Sequence, residues 1–149
     1  MMLLGVTFST IYSFLERYQR QLLNSTEEEL HLANFFCELT LTEFKMNKWL
    51  PSRIASSALY LACKMLRPKE HIWSKAMREV SKLSVADVKE SARDICLLIN
   101  KSQSCSILKP ITTKYSAPKY LNVTRVLARF ASDSYEENSP VNSAPKNRQ

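Results

Sequence analysis

The sequence predicts an all-α protein, a compact bundle of five to six helices around one central helix rich in small residues. Three observations carry this expectation. Only one glycine, Gly5, occurs in 149 residues, whereas sheets joined by tight turns usually need more. No alternating strand pattern of useful length appears, and apolar residues recur instead at helical spacing. Residues 51–66 read Pro-Ser-Arg-Ile-Ala-Ser-Ser-Ala-Leu-Tyr-Leu-Ala-Cys-Lys-Met-Leu, with Arg53 and Lys64 the only charges. A helix apolar on nearly every side is a buried helix. This one is too short for a membrane span, which takes about 20 apolar residues.

The first helix is expected from about Thr10 to Leu23. Ser9 is its candidate cap, and Ile11, Phe14, Leu15, Tyr18 and Leu22 form its apolar stripe. Asn24-Ser25-Thr26 interrupts the pattern and starts a second helix. Either Ser25 with Glu28 or Thr26 with Glu29 makes a capping box. Glu27, Glu28 and Glu29 suit the positive end of the helix dipole. Leu32, Ala33, Phe36, Leu39 and Thr40 form the buried face, to about Leu41.

Residues 42–50 read as a loop carrying Phe44, Met46 and Trp49. Pro51 suits the first turn of the central helix, where its missing donor does no harm, and Pro68 helps stop that helix. A short helix follows from Trp73 to about Ser81. Ser84 with Asp87 caps the next, which runs to about Lys101 with Val85, Val88, Ala92, Ile95, Leu98 and Ile99 inside. Residues 102–106 form a polar break. A last short helix spans about Ile107 to Tyr115, with Pro110 confined to its first turn. Val123, Val126, Leu127 and Phe130 make a further stripe, and from Ala131 the composition predicts a disordered polar tail.

The net charge of +7 is uneven. Residues 1–60 are nearly balanced, with 5 basic and 6 acidic groups, and the excess lies beyond them. A basic half of this kind is either a solvated surface or an attraction for acidic partners and nucleic acid. Its lysines and arginines are scattered, which favours the surface. Cys37, Cys63, Cys96 and Cys105 include no C-x-x-C pair. The first three fall on apolar helical faces, where a free cysteine behaves as a small hydrophobe, suggesting a reducing compartment. No metal or other cofactor is expected. His31 and His71 are isolated, and Glu38 and Glu43, five residues apart, share no helix face. The apolar start, Met-Met-Leu-Leu-Gly-Val-Thr-Phe, lacks the basic flank and length of a signal peptide. A soluble intracellular protein in nucleus or cytoplasm is expected, without membrane contact.

The order of local patterns is more telling. Phe14-Leu15-Glu16-Arg17-Tyr18 is followed by Leu32-Ala33-Asn34-Phe35-Phe36-Cys37-Glu38-Leu39-Thr40-Leu41-Thr42-Glu43-Phe44. Then come Pro51-Ser52-Arg53-Ile54-Ala55, Trp73, Lys114-Tyr115-Ser116 and Lys119-Tyr120. In this order and spacing, residues 3–125 resemble the C-terminal cyclin box of A/B-type mitotic cyclins. The resemblance implies a non-enzymatic regulatory module of a cyclin-dependent serine/threonine kinase, acting in cell-cycle control by protein contact. It implies no catalytic residue. It also implies that the first, N-terminal cyclin box, which makes most of the kinase contact, has no counterpart in this sequence. Residues 1–8 would then be a remnant of the linker between boxes, residues 9–130 the box, and residues 131–149 the tail. Ser9 and Ile11 stand where the linker's usual prolines would be.

Without a first box to cover them, Leu3, Leu4, Val6 and Phe8, with Met1 and Met2, are candidates for an uncovered apolar patch that binds a partner. Two other readings stay open: a nucleic-acid-binding module of the same fold, using the Lys-Tyr segment 114–120, and a truncated product without activity of its own. Three short motifs read more simply as structure or as weak signals. Arg20-Gln21-Leu22-Leu23 falls inside a helix, and Arg125-Val126-Leu127 has helical packing spacing. Ser139-Pro140 is a minimal site for proline-directed kinases.

Overall fold

The computed structural model describes residues 10–22 and 25–127. The proposed patch at Leu3, Leu4, Val6 and Phe8, the cap at Ser9, Phe130 and the tail all lie outside the described residues. Six α-helices are described: α1 (Ile11–Gln21), α2 (Glu27–Thr40), α3 (Pro51–Leu66), α4 (Lys75–Ser81), α5 (Val85–Ser104) and α6 (Lys109–Tyr115). Two 3-10 turns, Phe44–Lys48 and Pro118–Tyr120, complete them, and no strand occurs among the described residues.

The central helix is the expected one. In α3 every residue from Ile54 to Cys63 is buried, and α1, α2, α4 and α5 pack around it. Small side chains make this possible. Ala55, Ala58 and Ala62 form one stripe, all fully buried, and let neighbouring backbones come close. Ser56 and Ser57 are also fully buried. Their hydroxyls donate to the carbonyls of Ser52 and Arg53, each at 2.8 Å, so they add no unsatisfied polar group.

The helix boundaries follow local chemistry. The cap of α1 is Thr10, whose side chain accepts from the Ser13 N–H at 3.2 Å. Of the two alternatives for α2, Thr26 with Glu29 forms the capping box. Ser84 with Asp87 forms the one on α5. The short helix α4 begins one residue after its cap at Ser74, not at Trp73. Trp73 is buried instead, donating its indole N–H to the Leu83 carbonyl at 3.0 Å.

Two segments differ from the sequence reading. Residues 42–50 are not irregular throughout, because Phe44–Lys48 winds into a 3-10 turn with Met46 buried beneath it. The polar break is also shorter than 102–106, since α5 continues to Ser104. Ser102 is buried on the inner face, and its hydroxyl donates back to the Ile99 carbonyl at 2.6 Å. A serine can hide on a helix in this way, which makes it a poor stop signal. The last helix therefore starts at Lys109, with Pro110 in its first turn.

Candidate interaction surface

Two polar clusters fix the outer helices on α3. At the N-terminal end of α3, the Arg53 guanidinium lies over the Trp49 ring, 4.3 Å from its centroid, a geometry that favours cation–π attraction. Arg53 also donates to the Asp87 carbonyl at 2.8 Å and to Glu90 Oε2 at 3.1 Å. Trp49 Nε1 donates to Asp94 Oδ2 at 2.8 Å, and Lys48 pairs with the same oxygen at 2.9 Å. A buried hydroxyl pair, Ser57 and Ser91, joins α3 to α5 directly.

This clamp shapes a shallow groove of about 210 Å³ between the first 3-10 turn and α5. Met46 and Leu98 are its buried floor. An ion pair stands at each end, Lys101 with Glu43 at 2.9 Å and Lys48 with Asp94 at 2.9 Å. Leu97 is 67% exposed at its rim, and Phe44, next to Glu43 in the chain, is 84% exposed. The groove can seat an apolar side chain of a partner; Glu43, Lys48, Asp94 and Lys101 in its wall are engaged in ion pairs that hold the fold.

Glu43, Asp87 and Asp94 titrate low. Hydrogen bonds from Lys101 hold Glu43 below its ordinary range, and those from Ser84 do the same for Asp87. For Asp94, burial pushes the other way, but hydrogen bonds from Lys48 and Trp49 win. A carboxyl depressed in the folded state stabilises fully above its unfolded pKa, about 4, and that stabilisation disappears as pH falls through the lower folded value. The melting temperature should therefore drop as pH falls below about 4. Asp94→Asn should flatten that drop, as scanning fluorimetry across the range would show; an acid limb unchanged by the substitution would remove Asp94 from the account.

At the opposite end of α3, Glu29 is a buried carboxylate, 1% exposed. Arg67 Nε donates to its Oε1 at 2.6 Å and Nη2 to its Oε2 at 3.2 Å. The Thr26 N–H and the Cys63 thiol complete its shell at 3.3 and 3.4 Å. Burial, with the Glu29 charge beside it, pushes the Cys63 thiol up to about 12, so it stays protonated and donates. Arg67 reaches onward to Glu70 at 2.6 Å. The sequence reading gave Glu29 only its capping role. The missed signal was periodicity: position 29 falls on the same stripe as Leu32, Ala33, Phe36 and Thr40.

The remaining sequence candidates are accounted for by packing. Tyr115 is buried against Phe35, with ring centroids 5.4 Å apart. Tyr120 lies 4.7 Å from Tyr115 and meets His31 edge-on at 5.4 Å. Burial and the neighbouring Glu38 push the Tyr115 phenol well up. Glu38 holds Lys114 at 3.2 Å, whereas Glu43 holds Lys101. Val126 and Leu127 are buried and Arg125 pairs with Glu28 at 2.8 Å, so Arg125-Val126-Leu127 packs inward. Arg20 pairs with Glu16 along α1. All four cysteines are free. Among the described residues, no three His, Cys, Asp or Glu side chains gather as a metal site, and no helix is long and apolar enough to cross a membrane.

The comparisons with known proteins agree with this architecture. The family model described as "Cyclin, C-terminal domain" matches residues 9–128. Putative cyclin-A3-1 of Arabidopsis thaliana is 32% identical over 115 residues, covering 74% of this chain and 32% of that protein. Cyclin-A2-1 of the same plant is 34% identical over 118 residues, 76% of this chain and 26% of the relative. G2/mitotic-specific cyclin-B of Spisula solidissima is 32% identical over 97 residues, 65% of this chain and 22% of the relative. The chain thus spans about a fifth to a third of these proteins. Its helices, their order around the small-residue rod and this match place it in one family: the chain belongs to the cyclins, through their C-terminal domain.

Proposed function

We propose that this chain is a non-enzymatic regulatory module that binds a cyclin-dependent serine/threonine kinase in cell-cycle control, in nucleus or cytoplasm. The observation that carries the reading is the cyclin C-terminal domain match over residues 9–128, in which the described core is intact. Binding would act by selecting one kinase conformation over another. By the family resemblance, a first cyclin box makes most of the kinase contact, and the C-terminal domain adds to it. Residues 1–8, with Leu3, Leu4, Val6 and Phe8, would supply apolar surface for that box or for another protein.

The nucleic-acid alternative has less support. The aromatic rings of segment 114–120 pack on one another and on Phe35 and His31, and strand binding needs exposed rings on which bases stack. A pull-down of the full chain with a purified cyclin-dependent kinase, at 50 and 200 mM salt, separates the readings. Retention of kinase at both concentrations is expected. Tight binding to DNA that collapses between them, as phosphate contacts require, with no kinase retained, would overturn the proposal.

A further inference from the structure

Behind the C-terminal end of α3 lies a second depression, of about 190 Å³. Its walls bring together Tyr60, Lys64, His71 and Lys89, from α3, the α3–α4 connection and α5. Its floor is apolar, with Ile72 and Trp73 both buried. Trp73 meets Tyr60 edge-on, with ring centroids 6.1 Å apart.

The depression carries more positive than negative charge, with Lys64 and Lys89 against Glu70 alone. The ammonium groups of Lys48, Lys101 and Lys114 each face a carboxylate. Among the described residues, neither Lys64 nor Lys89 has a carboxylate within 4.0 Å, and Lys64 Nζ reaches only the Glu70 carbonyl at 3.3 Å. The one acid in the wall, Glu70, is already engaged by Arg67 at 2.6 Å. Among the described residues the Tyr60 hydroxyl has no hydrogen-bond partner, and burial pushes its pKa up, which keeps it a donor. Two lysines without a carboxylate partner, His71 and Tyr60 therefore line one small depression with an apolar floor.

We propose that this depression binds a phosphorylated serine or threonine in a peptide segment of a partner protein. A phosphate monoester carries about −1.5 to −2 charge and three acceptor oxygens, which matches the two ammonium groups and the two further donors. A single carboxylate would leave one ammonium uncompensated. The apolar floor suits the methylene of the phosphorylated residue and a small apolar neighbour. Nucleic acid fits poorly, because Trp73 and Tyr60 are buried and offer no face for a base to stack on. The site does not depend on kinase binding, so either reading can fail alone.

The test is fluorescence anisotropy with the full chain and a labelled peptide carrying one phosphoserine flanked by apolar residues. The same peptide without phosphate, inorganic phosphate and a single-stranded oligonucleotide serve as competitors. The phosphopeptide should bind, and only unlabelled phosphopeptide should compete well. Lys64→Ala with Lys89→Ala should weaken binding about tenfold or more, as the loss of two charge-assisted contacts implies. Lys45→Ala with Lys75→Ala, which removes the same charge elsewhere, should leave it within about twofold. Circular dichroism checks that both double variants fold. Equal losses in the two double variants, equal binding of the unphosphorylated peptide, or no phosphopeptide binding would each overturn the proposal. Displacement by phosphate ion alone at equal concentration would reduce the site to an anion site and reject the peptide, and displacement by the oligonucleotide would reject the partner class.

Discussion

Arg67→Ala is expected to lower the unfolding free energy by about 3 kcal/mol, the low end of the range for breaking a buried ion pair. The Arg67 side chain is 23% exposed but Glu29 only 1%, so the cost falls on the acid left behind. Removing the guanidinium strands a carboxylate inside the bundle with the Thr26 N–H and the Cys63 thiol as its remaining donors. Glu29→Leu removes the charge itself and keeps the volume, at the loss of half a capping box. The double variant should then recover part of the stability lost by Arg67→Ala, because no charge is left stranded in the bundle. Urea denaturation of the parent, both single variants and the double variant gives the full cycle. A cost below about 1 kcal/mol for Arg67→Ala, the scale of surface pairs, would show that water reaches Glu29 in solution.

That pair also marks where the sequence was legible and where it was not. Helix α3 was readable to the residue, from Pro51 to Leu66, because its signals are local: a proline at the start and an apolar, small-residue run behind it. The capping box of α5 was readable for the same reason, lying within four consecutive residues, and that of α2 was one of two adjacent alternatives. The Glu29–Arg67 bond joins positions 38 residues apart, and no local pattern announces such a partner. The 3-10 turn at Phe44–Lys48 was hidden likewise, since Lys48 and Trp49 are held by Asp94 of α5, about 45 residues on. The basic excess beyond residue 60 was visible, but not that Lys64 and Lys89 would line one depression. Such placement is a property of packed helices, and the family resemblance carries the helix order without the side-chain pairing.

Ala58→Trp is expected to cost about 3 kcal/mol, the upper end of what overpacking a core does. Ala58 is fully buried on the stripe it shares with Ala55 and Ala62. Nearby positions of the same helix already touch two neighbours: Cys63 meets Glu29 of α2, and Ser57 meets Ser91 of α5. An indole at position 58 finds no void among them and must push a helix outward, disturbing both polar clusters at once. Protein interiors are packed as densely as organic crystals, so that displacement is not absorbed elsewhere. Ala86→Trp, at an exposed position in the first turn of α5, carries the same chemistry without the packing and should stay within about 0.7 kcal/mol of the parent, the scale of helix propensity. Thermal and urea melts of the two variants decide the matter. Equal, small effects at positions 58 and 86 would mean that α3 is not tightly enclosed, and the account of its small residues would fall with that result.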